Sequence, residues 1–126
     1  MTIRTATVFI VDDDASARTG LGRLIRVAGY DARMYADAST FLKEACQTPN
    51  ACIVSDMRMP GLAGISLLAE LASRGISMPV IIVTADEDPD TRHRARQAGA
   101  VAFFRKPVDG PALLDAIEWA VGKCDQ

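Results

Sequence analysis

The chain has 126 residues, 49% of them hydrophobic and 24% charged, and its formal net charge is −2. This length and composition indicate one globular domain with its own core. The slightly acidic balance argues against direct binding to nucleic acid, because proteins that bind nucleic acid carry a basic field. The three cysteines show no CxxC spacing, which argues against a disulfide framework or a zinc site.

Membrane association is not expected either. Charged residues interrupt every apolar run well before the roughly 20 residues that a membrane span needs. The N-terminal residues show neither the apolar core nor the small-residue cleavage site of a signal peptide. We therefore expect a cytoplasmic protein with no membrane partner, in keeping with its free cysteines.

Taken in order, short apolar runs alternate with amphipathic stretches. Residues 8–11 predict a strand that is buried on both faces, and Asp14 is placed to cap a first helix that ends near Gly29. Residues 30–35 predict a more polar strand near an edge of the sheet. Asp37 is then placed to cap a second helix.

The middle of the chain repeats this alternation. A third strand is predicted over residues 52–55 and ends abruptly at Asp56, after which a proline and a glycine mark a loop. Apolar residues at helical spacing predict a third helix that closes near Gly75. Residues 79–83 predict a fourth buried strand.

The predicted fourth helix, which reaches about Ala98, has an unusual composition. It begins in the acidic run 86–90, which suits the helix dipole. Its apolar positions are all alanines, so little apolar area is available for docking and we expect this helix to be mobile. It also carries a group of basic residues, Arg92, His93, Arg94 and Arg96. Residues 100–104 predict the fifth strand, and residues 109–111 begin the last helix.

Five strands that alternate with five helices indicate a doubly wound α/β domain with a mostly parallel sheet. Nothing in residues 1–126 resembles a linker or a second domain. The carboxyl ends of parallel strands share one edge of the sheet, where open α/β sheets bind their ligands. Polar residues follow four of the predicted strands there: Asp12, Asp13, Asp56, Thr84 and Lys106.

This constellation points to phosphoryl chemistry. Clustered carboxylates repel one another unless a cation lies among them, and ligands that are all oxygens favour Mg²⁺ or Mn²⁺ over zinc. The metal and Lys106 would neutralise an incoming phosphate, and Thr84 offers a hydroxyl donor. Asp56 is a suitable nucleophile because carboxylates form acyl phosphates.

The order and spacing of these residues, together with Pro107 after Lys106, resemble the receiver domain of bacterial two-component response regulators. The resemblance covers essentially the whole chain. Asp-Met-Arg-Met-Pro-Gly at 56–61 and Phe-Phe-Arg-Lys-Pro at 103–107 are further similar to the FixJ/NarL-like subgroup. The implied fold is flavodoxin-like (CheY-like), a doubly wound (βα)5 with a five-stranded parallel sheet in the order 2-1-3-4-5.

The resemblance also implies a role for each site residue. Asp56 would be the phosphoacceptor and a metal ligand. Asp13 would bind Mg²⁺ directly, Asp12 through water and Arg58 through its backbone carbonyl.

The remaining implied roles concern the phosphoryl group and the conformational switch. Lys106 and Thr84 would contact the phosphoryl group, and the Lys106–Pro107 peptide bond would be cis. Thr84 would swing toward the phosphoryl oxygens while Phe103 turns inward.

As a whole, the resemblance implies a phosphorylation-controlled signalling switch rather than a conventional enzyme. It would accept a phosphoryl group from a sensor histidine kinase and would catalyse its own phosphorylation and dephosphorylation. The surface of the fourth helix, fifth strand and last helix would then control homodimerisation or an output domain. The chain is either a single-domain regulator or the N-terminal part of a longer transcription factor, which would reach DNA only through another domain.

Two other functions stay open on the residues alone. Residues 11–16 loosely fit the Asp-x-Asp opening of haloacid-dehalogenase-type phosphatases, with Thr84 and Lys106 in the place of later motifs. That family's later acidic pair is missing, however, and Asp56 would have no role. A pseudo-receiver that serves only as a scaffold is disfavoured because all five site residues are present.

Three features have alternative interpretations. Arg58 and Asp86, just beyond the third and fourth strands, either form a salt bridge that limits water and sets the phosphoryl lifetime or remain solvated. The basic residues of the fourth helix form either a solvated face or part of the phosphorylation-dependent surface. Alternation places Phe103 and Phe104 on opposite faces of the sheet, where either could be plain core.

Overall fold

A computed structural model describes residues 6–57, 64–85 and 88–124. Five strands and five helices alternate in this part of the chain. The strands are β1 (Thr7–Val11), β2 (Asp31–Tyr35), β3 (Ala51–Asp56), β4 (Val80–Thr84) and β5 (Ala102–Arg105). The helices are α1 (Ala15–Val27), α2 (Ala38–Glu44), α3 (Gly64–Ser73), α4 (Pro89–Gln97) and α5 (Gly110–Cys124).

The strands form one parallel sheet in the order β2-β1-β3-β4-β5. This confirms the predicted flavodoxin-like (CheY-like) fold and places the polar strand β2 at an edge. The strand order reverses direction at β1, between β2 and β3. In doubly wound folds this switch point opens the crevice in which ligands bind.

Each face of the sheet is covered by a separate apolar cluster. The first cluster joins Phe9 and Ile53 to residues of α2, α3 and α4, among them the fully buried Leu67. The second joins Ile10 and Val54 to residues of α1 and α5, among them the buried Ile117. β1, β3 and β4 contribute side chains alternately to both clusters, as expected for strands that are buried on two faces.

Aspartates cap three of the helices, as predicted for two of them. The side chains of Asp14, Asp37 and Asp88 accept hydrogen bonds from the backbone N–H groups of Ser16, Thr40 and Asp90, respectively. Each cap satisfies a helix donor that would otherwise lack a partner. Gly29, just past α1, has a φ of 101°, a left-handed conformation that glycine adopts without strain.

The fifth strand is shorter than its sequence predicts. Val101 lies in a bend before the strand and is 41% exposed, while its N–H donates to the carbonyl oxygen of Val80 at 2.9 Å. The regular pairing with β4 therefore begins only at Ala102. Among the described residues, no helix is long and apolar enough to cross a membrane.

Candidate functional site

Three carboxylates converge at the carboxyl edge of the sheet. Val11 and Ser55 are register partners, so Asp12 and Asp56 come next on adjacent strands. Asp12 and Asp56 are buried and Asp13 is exposed, and one carboxylate oxygen from each lies within 4.8 Å of the others. The two buried aspartates thus form the floor of the cluster and Asp13 its open side.

Lys106 joins this cluster from the loop after β5. Its Nζ lies 2.9 Å from Asp12 Oδ2 and 3.1 Å from Asp56 Oδ2. Its backbone N–H donates to the Thr84 carbonyl oxygen at 2.8 Å, which continues the β4–β5 pairing. The Lys106–Pro107 peptide bond is cis, as the resemblance implies.

The two carboxylates keep Lys106 protonated. Burial alone would lower the pKa of this ammonium group, but the hydrogen bonds and charges of Asp12 and Asp56 outweigh it and raise the pKa above its ordinary value of 10.5. A fixed positive charge therefore lies between two buried carboxylates. This arrangement places a cation 3.1 Å from Oδ2 of Asp56.

Asp12 is held by four hydrogen bonds, one of them from its own N–H to the carbonyl oxygen of Tyr35 at 3.1 Å. Its Oδ1 accepts from the N–H of Asp14 at 2.9 Å, and its Oδ2 accepts from Lys106. Its carbonyl oxygen accepts a hydrogen bond of 2.7 Å from Nη1 of Arg18, a half-buried residue of α1. The role of Arg18 could not be predicted from the sequence, because its spacing from Asp12 gives no local sign that the side chain folds back over the preceding loop.

Thr84 and Phe103 share one face of the sheet. Ile82 and Phe103 are register partners, and Thr84 lies two residues further along β4. Thr84 is buried at the end of its strand, whereas Phe103 is partly buried and packs against the first cluster. Phe104 packs against the second cluster, so the predicted alternation of the two rings is confirmed.

The structure does not bring every candidate residue into the site. Arg58 and Asp86 lie outside the described residues. His93 is exposed on α4 and, in the described part of the chain, belongs to no group of three potential metal ligands. Arg92, predicted only as one member of the basic group, lies over the ring of Phe103, with 5.4 Å from its guanidinium carbon to the ring centroid.

The donor set fits a hard divalent cation. All three clustered side chains present carboxylate oxygens, and no histidine or cysteine lies among them. Oxygen ligands of this kind suit Mg²⁺ and Mn²⁺, which usually bind one or two carboxylates and keep several waters. The exposed position of Asp13 leaves the open side of the cluster accessible to such an ion.

Known proteins are similar to this chain in sequence. The family described as response regulator receiver domain matches residues 8–118. The transcriptional regulatory protein FixJ of Azorhizobium caulinodans is 35% identical over 116 residues, which are 92% of this chain and 55% of that protein.

Two solved structures are also similar. The response regulator StyR has a TM-score of 0.89 and 42% identity over 96% of this chain and 61% of that one. FixJ-N has a TM-score of 0.88 and 34% identity over 95% of this chain and 96% of that one. The chain spans about half the length of the curated FixJ protein that it matches. By sequence, fold and family match, the chain belongs to the receiver domains of two-component response regulators, of the FixJ/NarL type.

Proposed function

We propose that this receiver domain is a switch controlled by phosphorylation of Asp56, with a sensor histidine kinase as its phosphoryl donor. The observation that carries the proposal is the position of Lys106, whose ammonium group lies 3.1 Å from Asp56 inside a cluster of three carboxylates. A cation at this distance stabilises charge on a phosphoryl group attached to that oxygen. The carboxyl ends of three different strands, β1, β3 and β5, supply these groups, so the cluster exists only in the folded domain.

The reaction transfers the phosphoryl group from a donor nitrogen to an acceptor oxygen. The bond between a kinase histidine nitrogen and phosphorus breaks, and a bond between phosphorus and an Asp56 oxygen forms. Lys106 positions and neutralises the oxygens of the group, which is most of what phosphoryl transfer requires from a protein. Asp13, Asp56 and the Arg58 carbonyl would hold Mg²⁺, with Asp12 holding it through water. The metal supplies further positive charge when it is bound.

The acyl phosphate would shift an existing equilibrium between two conformations. As the family resemblance implies, Thr84 would move toward the phosphoryl oxygens and Phe103 would turn inward. The two side chains share a face of the sheet. The change would reach the surface of α4, β5 and α5, which would control homodimerisation or an output domain. FixJ is a transcriptional regulatory protein about twice as long as the matched region. We therefore infer that DNA is reached through a domain outside this chain.

Arg58 and Asp86 are candidates for setting the phosphoryl lifetime. Their positions just beyond β3 and β4 would allow an ion pair that limits access of water to the acyl phosphate. Replacing Arg58 with alanine is expected to change the rate of autodephosphorylation. An unchanged rate would exclude this role and leave two solvated side chains.

The two alternative functions, a phosphatase and a scaffold, leave features of the site unexplained. A haloacid-dehalogenase-type phosphatase would leave the contact between Lys106 and Asp56 without a function. A pseudo-receiver scaffold would not need the clustered carboxylates, which repel one another in the absence of a cation. The family match is to a group of signalling proteins rather than of conventional enzymes.

Intact mass spectrometry tests the proposal. After incubation with acetyl phosphate or phosphoramidate, the wild-type chain is expected to gain about 80 Da in the presence of Mg²⁺ and not in EDTA. Asp56→Asn should show no gain, whereas Asp115→Asn, a change to an exposed aspartate on α5, should behave as wild type. A gain in Asp56→Asn, or none in wild type with both donors, would contradict the assignment.

A further inference from the structure

α4 is attached to the domain by very few apolar contacts. Its buried residues are Thr91 and Ala95, both small. Most of the other residues of the helix are charged or polar and exposed. Small buried side chains contribute little hydrophobic stabilisation, so individual contacts between α4 and β5 weigh heavily in the position of this helix.

Arg92 makes one such contact. Its guanidinium carbon lies 5.4 Å from the centroid of the Phe103 ring, within the range of a cation–π interaction. A guanidinium is well suited to this contact because it is planar, weakly hydrated and always charged. The contact joins α4 to β5 at the aromatic side chain that shares a sheet face with Thr84.

We propose that Arg92 is a latch that holds Phe103 and α4 in the unphosphorylated arrangement, so that it sets how readily the domain switches. This inference rests on the proposed function. An inward movement of Phe103 would carry the ring away from the guanidinium group, so the contact exists in one state only. A contact made in one of two states stabilises that state by its full free energy. Arg92 is thus a positioning residue that acts through Phe103 and not on the phosphoryl group.

The contact between Arg92 and Phe103 and the switch equilibrium must affect each other. If the latch opposes the switched state, its loss raises the fraction of molecules in that state before phosphorylation. A cation–π contact at a partly exposed site corresponds to about a twofold to fivefold change in an equilibrium constant. Phosphorylation by a small donor is therefore expected to be about twofold to fivefold faster in Arg92→Gln than in wild type.

Arg94 provides a matched control. It lies on the same helix and carries the same charge, but its Nε lies 3.3 Å from Asp90 Oδ2. Arg94→Gln removes one positive charge from α4, as Arg92→Gln does, so any general electrostatic effect on an anionic donor is common to both. Arg92→Lys keeps a cation on a smaller, more strongly hydrated head group and is expected to restore part of the wild-type rate.

Two measurements test the latch. The first is a double-mutant cycle of urea unfolding, without phosphate, that combines Arg92→Gln with Phe103→Leu. It is expected to show a coupling of about twofold to fivefold in the unfolding equilibrium constant, with none between Arg94→Gln and Phe103→Leu. The second is the rate of phosphorylation by acetyl phosphate, measured for wild type, Arg92→Gln, Arg92→Lys and Arg94→Gln.

The outcomes separate the latch from the proposed function. Zero coupling between Arg92 and Phe103, or equal phosphorylation rates in the two glutamine variants, overturns the latch and leaves phosphorylation of Asp56 intact. The absence of any phosphoryl adduct in wild type overturns the proposed function itself. Coupling together with a faster reaction that is specific to Arg92→Gln supports the latch.

Discussion

At the candidate site, three carboxylates lie close together and one ammonium group contacts two of them, and this excess of negative charge has a cost in stability. Asp13 is close to two like charges, those of Asp12 and Asp56, which Lys106 neutralises only in part. The N-terminus of α1 offsets part of the repulsion because its dipole favours a negative charge there. We expect the repulsion between the carboxylates to cost stability here, as is common where a functional site is retained at the expense of stability.

Asp13→Asn is therefore expected to stabilise the metal-free domain, by about 0.5–1 kcal/mol in urea unfolding at low salt. The same change should weaken Mg²⁺ binding, because it removes a carboxylate that we propose as a direct ligand. Adding Mg²⁺ is expected to raise the urea midpoint of wild type, since an ion that binds only the folded state stabilises it. Asp13→Asn should show a smaller increase. A loss of stability in metal-free Asp13→Asn, or an equal response to Mg²⁺, would contradict this account.

The raised pKa of Lys106 predicts a pH dependence of stability. Because the folded pKa lies above the ordinary value of 10.5, the contribution of this ammonium group is fully present below that value. It is lost as the pH rises through the folded pKa. The difference in unfolding free energy between wild type and Lys106→Met should stay constant from neutral pH upward and shrink only above the ordinary value.

In this pH experiment, the unfolding free energy of Lys106→Met has to be subtracted from that of wild type. Burial also raises the pKa values of Tyr30 and Tyr35, so deprotonation of these phenols destabilises the fold in a similar range. Both tyrosines are present in wild type and in Lys106→Met, and their effects cancel in the difference. A difference that already shrinks near neutral pH would show that Lys106 is not held by the two carboxylates as described.

At the scale of elements, α4 and α5 differ most in how they are anchored. α4 buries Thr91 and Ala95, whereas α5 buries Leu113, Ile117 and further apolar side chains against the second cluster. Less buried apolar area means a lower free energy for local opening.

Hydrogen exchange should therefore separate these two helices. Amides of α4 are expected to exchange through local openings well below the global unfolding free energy, and the central amides of α5 only near it. Arg92→Gln should accelerate exchange in α4 further without affecting α5. Equal protection of the two helices in wild type would show that α4 is anchored as firmly as α5.

The elements could be predicted from sequence because their causes are local. Residues 52–54 form an uninterrupted apolar run, and Asp14 and Asp37 directly precede their helices. The contacts of Arg18 with Asp12 and of Arg92 with Phe103 depend instead on how finished elements lie against one another. No spacing in the chain encodes the direction of a long arginine side chain, so sequence alone could not assign these contacts.

Some features of the site could likewise be predicted from the sequence and others could not. Asp12, Asp56 and Lys106 could be grouped from sequence because each follows a predicted strand, and parallel strands end at one edge. The division of Asp12 and Asp13 into a buried and an exposed carboxylate could not be read from two adjacent identical residues. It follows from the hydrogen bonds that Asp12 makes with Lys106 and Asp14.

At the scale of the whole molecule, the sheet connects the two clusters. β3 contributes Ile53 to the first cluster and Val54 to the second, and both side chains are completely buried. Neither cluster can lose its order without disturbing strands that also support the other. A single domain of this size is therefore expected to unfold in one cooperative transition.

Two matched substitutions test this cooperativity, Ile53→Val in the first cluster and Ile117→Val in the second. Each removes one buried methyl group and is expected to reduce the unfolding free energy by about 0.5–1.5 kcal/mol without changing the dependence on urea. Trp119, the single tryptophan, lies on α5 and reports by fluorescence, while circular dichroism reports on all the helices. Because the sheet links both clusters, the two signals should coincide in both variants. If Ile53→Val shifted the circular dichroism transition but not the fluorescence transition of Trp119, the two faces of the sheet would be unfolding separately. A conformational change at Asp56 would then not be coupled from one face of the sheet to the other.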